Sequence, residues 1–197
     1  MARLLYDKDN LTEAFSDGIG KRLLSKYGFS SVNDLCATLI EQKSQGAEYV
    51  IGLPGVGKST YAIETLKAKP ISTKADMIQL LSLDFEDMVF VSSGVKDEIA
   101  KNASHITLLH TSENRVSQQR QQRNSAIERQ NSLTAFGRKA GTTDAVSTDN
   151  RVNIARLKTD YAEKSDILVY TSNDATDFSQ YKMIPFSRLN ENKKYET

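Results

Sequence analysis

A chain of 197 residues, 39% of them hydrophobic and 26% charged, has the composition of one globular domain, or of one domain with an appendage, able to bury a proper core. A formal net charge of +1 provides no global field to recruit nucleic acid or an anionic membrane, and no apolar run reaches the length needed to span a bilayer. Cys36 is the single cysteine, which excludes an intramolecular disulfide, argues against a cysteine-based metal site and leads to the expectation of a reducing, cytoplasmic setting.

The opening "MARLLYDKDN" meets acidic residues after only a few apolar ones, unlike the apolar core of a signal peptide. Residues 1–46 read as an N-terminal helical extension with two helices, "LTEAFSDGIGKRLLSKYG" and "SVNDLCATLIEQKSQ", the second with Ser31 as its N-cap. The plainer reading makes this extension an extra layer on the sheet. The other makes it a surface for a protein partner or for self-association.

Residues 47–186 read as the main domain. "EYVIG", Glu48 to Gly52, is a short β-favouring run, and "KSTYAIETLKAK" reads as a helix ending before Pro70. Between them lies "GLPGVGKST", in which Gly52, Gly57, Lys58 and Ser59 fit G-x-x-x-x-G-K-[ST], the phosphate-binding loop. The alternative is a bare glycine-rich turn, and a strand before the motif with a helix after it argues for the loop. In such a loop backbone N–H groups cradle anionic oxygens, and the glycines permit close approach. The nucleotide-binding set is therefore Gly52, Pro54, Gly55, Val56, Gly57, Lys58, Ser59 and Thr60. Lys58 would reach the β- and γ-phosphates of ATP, and the Ser59 hydroxyl would be a ligand of Mg2+.

Further buried-strand patterns follow at "MVFVSSG", "HITLLHT" and "DILVYT", separated by helical segments in which Ile78, Leu81 and Phe85, then Ile154, Leu157 and Tyr161, recur at helical spacing. Alternating strands and helices imply right-handed crossovers and a mainly parallel sheet covered on both faces. The fold expected is a three-layer α/β/α P-loop NTPase with its N-terminal helical extension.

Catalytic candidates come from the charged residues. "ENRVSQQRQQRNSAIERQ" carries Arg115, Arg120, Arg123 and Arg129, and the spacing places Arg120 and Arg123 on one helix face, where guanidinium groups can stabilise charge on a transferring phosphoryl group. The bland alternative is a solvated basic face. Asp76 is the candidate acid near the loop, with Asp84 and Asp87 behind it, each also readable as a surface or capping carboxylate. His105 and His110 flank one strand without a second ligand cluster, so no zinc site is expected. Residues 124–149, polar and without sustained periodicity, have the length of a functional lid, and residues 187–197 read as a flexible tail.

Residues 47–175 resemble the shikimate kinase branch of the nucleoside-monophosphate-kinase-like P-loop proteins. "GLPGVGKST" is similar to that branch's opening loop, "VFVSSGV" to its strand and glycine-rich turn, "ITLLHTSENRVSQQRQQR" to its lid base, and "RLKTDYAEKSDILVYTS" to its final helix and strand. The resemblance implies Gly55, Gly57, Lys58, Ser59 and Thr60 as ATP-phosphate and magnesium contacts, Arg120 or Arg123 as the lid-base arginine, and Arg156 as the substrate-side arginine. That branch also carries an Asp-x-Asp pair after the first helix and three consecutive glycines after the next strand. This chain offers "STKAD" and "SSG" there, so shikimate is not the expected acceptor.

The leading expectation is a kinase that transfers the γ-phosphate of ATP to a small-molecule or nucleotide acceptor. The alternatives are a catalytically degenerate nucleotide-binding switch or interaction protein, a polynucleotide 5′-end kinase whose Arg129, Arg138 and Lys139 contact a phosphate backbone, and a toxin-type kinase resembling the zeta group.

Overall fold

The structure, a computed structural model, describes residues 3–53, 56–110, 121, 125, 150–170 and 182–184. Along the chain these form β1 (Arg3–Asp7), α1 (Lys8–Ala14), α2 (Gly18–Lys26), α3 (Val32–Lys43), β2 (Glu48–Gly52), α4 (Lys58–Glu64), β3 (Ala68–Lys69), α5 (Lys74–Ser82), β4 (Met88–Ser92), α6 (Asp97–Ala100), β5 (His105–His110), α7 (Asn150–Asp160), β6 (Ser165–Tyr170) and β7 (Lys182–Ile184). A 3-10 turn, Ala162–Lys164, leads into β6.

The strands form one sheet in the order β3-β1-β4-β2-β5-β6-β7, and every described pairing is parallel. The chain is thus α/β with a parallel sheet, the expected fold class, and its three-layer α/β/α arrangement follows from helices packed on both sheet faces. Alternate residues of the central strands serve the two faces. Leu4, Tyr6, Tyr49, Ile51, Phe90 and Leu108 bury into one apolar cluster with Leu11, Phe15, Leu35, Leu39, Leu80 and Leu157 from the helices. Leu5, Val50, Val89, Val91 and Leu109 face the other side, where Val56 and Ala62 of the loop and α4 cover them.

The N-terminal segment contains more than helices. "RLLYD" is a strand inside the sheet, pairing Leu4 with Met88 and Asp7 with Val91 on one side and Arg3 with Ala68 on the other. The expected first helix is two, because Phe15 and Ser16 leave helical geometry and Asp17 caps a new start by accepting from Gly20 N–H at 2.7 Å. Ser31 caps α3 as expected, accepting from Asp34 N–H at 3.1 Å. These helices do lie as a layer on the sheet, with Leu35 and Leu39 fully buried, each such side chain worth roughly 2 kcal/mol of burial.

The helix after the loop is shorter than its pattern suggests. It stops at Glu64, Lys67 turns with φ 59°, and Ala68–Lys69 pairs with β1 as the sheet's edge. No helix among the described residues is long and apolar enough to cross a membrane.

Candidate nucleotide site at the end of the parallel sheet

β2 delivers the chain to the loop at the carboxyl end of the sheet, where α/β folds place ligands. A side chain at Gly52 would bring its Cβ within 2.7 Å of Val56 Cγ1 and 2.9 Å of the Leu109 carbonyl, so the strand passes too close to β5 for anything larger. Pro54 and Gly55 lie outside the described residues. Val56 is buried and donates its N–H to Leu53 O at 3.1 Å, closing the turn. Gly57 has φ 100° and ψ 25°, a left-handed conformation costly for a side chain, and its carbonyl accepts from Tyr61 N–H to start α4.

Lys58 and Ser59 therefore open the helix side by side. Lys58 Nζ donates to Leu53 O at 2.9 Å, which holds the ammonium against the loop backbone. Ser59 Oγ donates to Asp7 Oδ2 at 3.0 Å. The other carboxylate oxygen, Oδ1, accepts from Asp9 N–H at 3.1 Å as the N-cap of α1. One oxygen of Asp7 thus anchors a helix while the other faces the loop.

These residues line a cleft of about 800 Å³. Asp7, Lys8 and Asp9 form one wall, Gly57, Lys58, Ser59 and Thr60 a second, Val91 to Gly94 and Lys96 a third, and Asn33, Cys36, Ala37 and Ile40 of α3 the fourth. The N-terminal helices therefore enclose the site as well as covering the core. Burial pushes the Cys36 thiol up, with the Tyr6 hydrogen bond and the Lys8 charge countering only in part, so the group is a packed thiol and not a thiolate nucleophile.

The acid expected at Asp76 plays another part. Asp76 is 2% exposed and does not line this cleft. Burial alone would raise its pKa, but Lys69 at 2.6 Å, the Thr73 N–H and hydroxyl, and the Ser72 N–H outweigh it and hold the carboxyl well below the usual range. With Thr73 it makes a capping box that starts α5, so its role is structural. Asp87 is also structural, pairing with Arg3 at 2.6 Å and fixing the start of β1, and Asp84 is exposed. The carboxylate beside the loop is Asp7. Its place beside the loop follows from β1 pairing next to β4, with Asp7 in register with Val91.

Arg120 and Arg123, like Arg129 and Arg138, lie outside the described residues. Arg156 does not face the loop: its guanidinium pairs with Asp97 and, at 3.6 Å, with Asp160, and it points Nη1 to Val95 O at 3.5 Å. The Tyr161 hydroxyl at 2.6 Å, together with Arg156, lowers the Asp97 pKa, while burial and Asp97 push Tyr161 up to about 12. This cluster docks α7 against the segment leading into α6. His105 lies 3.3 Å from Asp166, and no group of three or more His, Cys, Asp or Glu able to hold a metal occurs among the described residues.

No family model matches the chain, and no curated protein matches it. Among solved structures, the chain is similar to a LAO/AO transport system kinase at 14% identity and a TM-score of 0.24, over 67% of this chain and 62% of that one. The chain thus spans less than two thirds of that structure's length, and a TM-score this low leaves the fold to stand on its own strand order.

Proposed function

We propose that the chain is an ATP-binding P-loop kinase that transfers the γ-phosphate to a small-molecule or nucleotide acceptor with the help of Mg2+. The observation that carries this reading is the bond between Ser59 Oγ and Asp7 Oδ2 beside Lys58, at the head of a cleft with room for more than a triphosphate tail. A hydroxyl and a carboxylate oxygen 3.0 Å apart suit magnesium, whose adjacent octahedral oxygen ligands stand about 2.9 Å apart. Magnesium commonly uses one or two carboxylates with substrate phosphates and water, so a three-carboxylate cluster is not required.

In this reading Ser59 and Asp7 would hold the metal, which would supply charge neutralisation on the phosphate oxygens. Lys58 leaves the Leu53 carbonyl for the β- and γ-phosphates. Backbone N–H groups around Gly57 would orient the chain of phosphates, and Asp9, beside Asp7 on the cleft, would accept a proton from an acceptor hydroxyl.

A second reading is a nucleotide-gated interaction protein. The observations that favour it are the structural engagement of Asp76 and Arg156 and the seating of α1 and α3 on the cleft, through which occupancy would reach a partner surface. Incubation with γ-labelled ATP, magnesium and pooled metabolites, nucleosides, nucleotides and 5′-hydroxyl oligonucleotides separates the two, with Lys58→Ala as the blank. Label on one component in wild type alone supports the kinase. Tight ATP binding with neither transfer nor hydrolysis sinks it and leaves the gated protein.

A further inference from the structure

The walls of the cleft come from different strands, and one buried side chain ties two of them together. Tyr49 lies on β2, just ahead of the loop, with its side chain fully buried. Its hydroxyl accepts from Lys96 N–H at 3.0 Å and stands 2.5 Å from Ser92 Oγ and 3.0 Å from Gly94 O. Ser92 Oγ reaches the same Gly94 carbonyl at 2.6 Å. With Ser92 donating to that carbonyl, the single phenolic proton goes to Ser92, and a directed chain results: Lys96 N–H to Tyr49, Tyr49 to Ser92, Ser92 to Gly94. Burial pushes the Tyr49 pKa up, which keeps the proton on the phenol.

The segment held in this way runs from Ser92 to Lys96 and lines the same cleft as Asp7 and Asp9, next to the Asp7–Val91 pairing of β1 and β4. From outside, Asn153 Oδ1 accepts from Val95 N–H at 3.4 Å, and Arg156 holds Asp97. From the strand that carries the loop, Ile51 pairs with Ser92 in the ladder, and the Tyr49 side chain reaches past it to Gly94 and Lys96. We propose that Tyr49 is a positioning residue that sets the Ser92–Lys96 wall of the cleft at a fixed distance from the phosphate loop. It touches neither nucleotide nor acceptor, and the inference rests on the nucleotide reading given above.

Tyr49→Phe retains the ring and removes the chain of hydrogen bonds, and Ser92→Ala breaks the same chain at its next link. In the full-length protein with Mg·ATP as the probe, both variants are expected to exchange the amides of residues 93–96 about tenfold faster, as loss of a hydrogen bond worth about 1.4 kcal/mol implies. Both are expected to bind Mg·ATP within about twofold of wild type and to lower the kcat of phosphate release about tenfold at unchanged KM for ATP. Loss of Mg·ATP affinity in step with thermal stability overturns the proposal, because the hydroxyl then holds the core as a whole. Wild-type exchange rates at residues 93–96 in Tyr49→Phe overturn it equally. A wild-type protein that fails to bind Mg·ATP, with Lys58→Ala no different, is a separate result: it sinks the nucleotide reading itself, and the proposal with it.

Discussion

Asp7 and Ser59 are 52 residues apart in the chain and meet at 3.0 Å, the carboxylate at the end of β1 accepting from the hydroxyl on the first turn of α4. Asp7→Asn tests what this pair is for. Asparagine is as good an N-cap as aspartate, so α1 and the thermal midpoint are expected to stay near wild type, while the charge facing Ser59 disappears. Magnesium-dependent ATP affinity is expected to fall by about 10- to 100-fold in calorimetric titrations with and without the metal. Wild-type magnesium dependence in this variant removes Asp7 from the site.

Asp76 contributes to acid stability. Its folded pKa lies below the ordinary carboxylate value, so below that value the unfolded chain binds the proton more readily and stability drops. The contribution is fully present above about pH 5 and is lost as pH falls through the ordinary carboxylate range towards the folded value. Asp76→Ala is expected to destabilise the protein by about 2 kcal/mol at pH 7, because the Ser72 and Thr73 N–H groups and Lys69 lose their acceptor. Urea unfolding from pH 3 to pH 7 should show wild type and variant converging at the acid end. A constant gap across that range contradicts the assignment.

Gly52→Ala places a methyl 2.7 Å from Val56 Cγ1 and 2.9 Å from the Leu109 carbonyl. The carbonyl belongs to the backbone of β5 and cannot swing aside, so the loop must shift. A loss of about 1 to 3 kcal/mol in chemical denaturation is expected, with weaker ATP binding beyond what that loss explains. Unchanged ATP affinity would show that the loop's placement on β2 is not critical.

Arg156→Met is expected to leave Mg·ATP affinity unaltered and to lower the thermal midpoint modestly, because the guanidinium serves Asp97, Asp160 and the Val95 carbonyl. Asp97→Asn should give the same small loss, and the double variant little more than either alone, since the two residues share one interaction. A selective drop in turnover with normal stability would return Arg156 to the substrate side.

The sheet was legible wherever a run was apolar and bounded. "EYVIG", "MVFVSSG" and "HITLLHT" each contain the strand found there, and "DILVYT" covers all of its strand but Ser165, because central parallel strands are buried on both faces and carry no polar alternation. The same physics hid β1 and β3. Arg3–Asp7 offers only three consecutive apolar residues between charges, and Ala68–Lys69 is a two-residue edge whose strand character comes from its partner and not from its own propensity. The loop was legible because its glycines answer local demands, at Gly52 for space and at Gly57 for a left-handed backbone. Its acid was not, since Asp7 joins Ser59 through the order of strands in the sheet, which no local pattern encodes. Asp76 misled for the converse reason: Thr73 and Asp76 form a capping box, whose local signature mimics an acid placed for chemistry.

The position of β1 between β3 and β4 also bears on how the protein folds. β1 can pair only with partners 65 and 84 residues further along the chain, and such non-local parallel pairings are slow to form. A chain that joined β2, β4 and β5 without β1 would hold the loop yet lack Asp7 beside it. On the kinase reading, magnesium-dependent activity would then require β1 to be paired, and local detachment of β1 in the finished protein would separate Asp7 from Ser59 while leaving the loop in place.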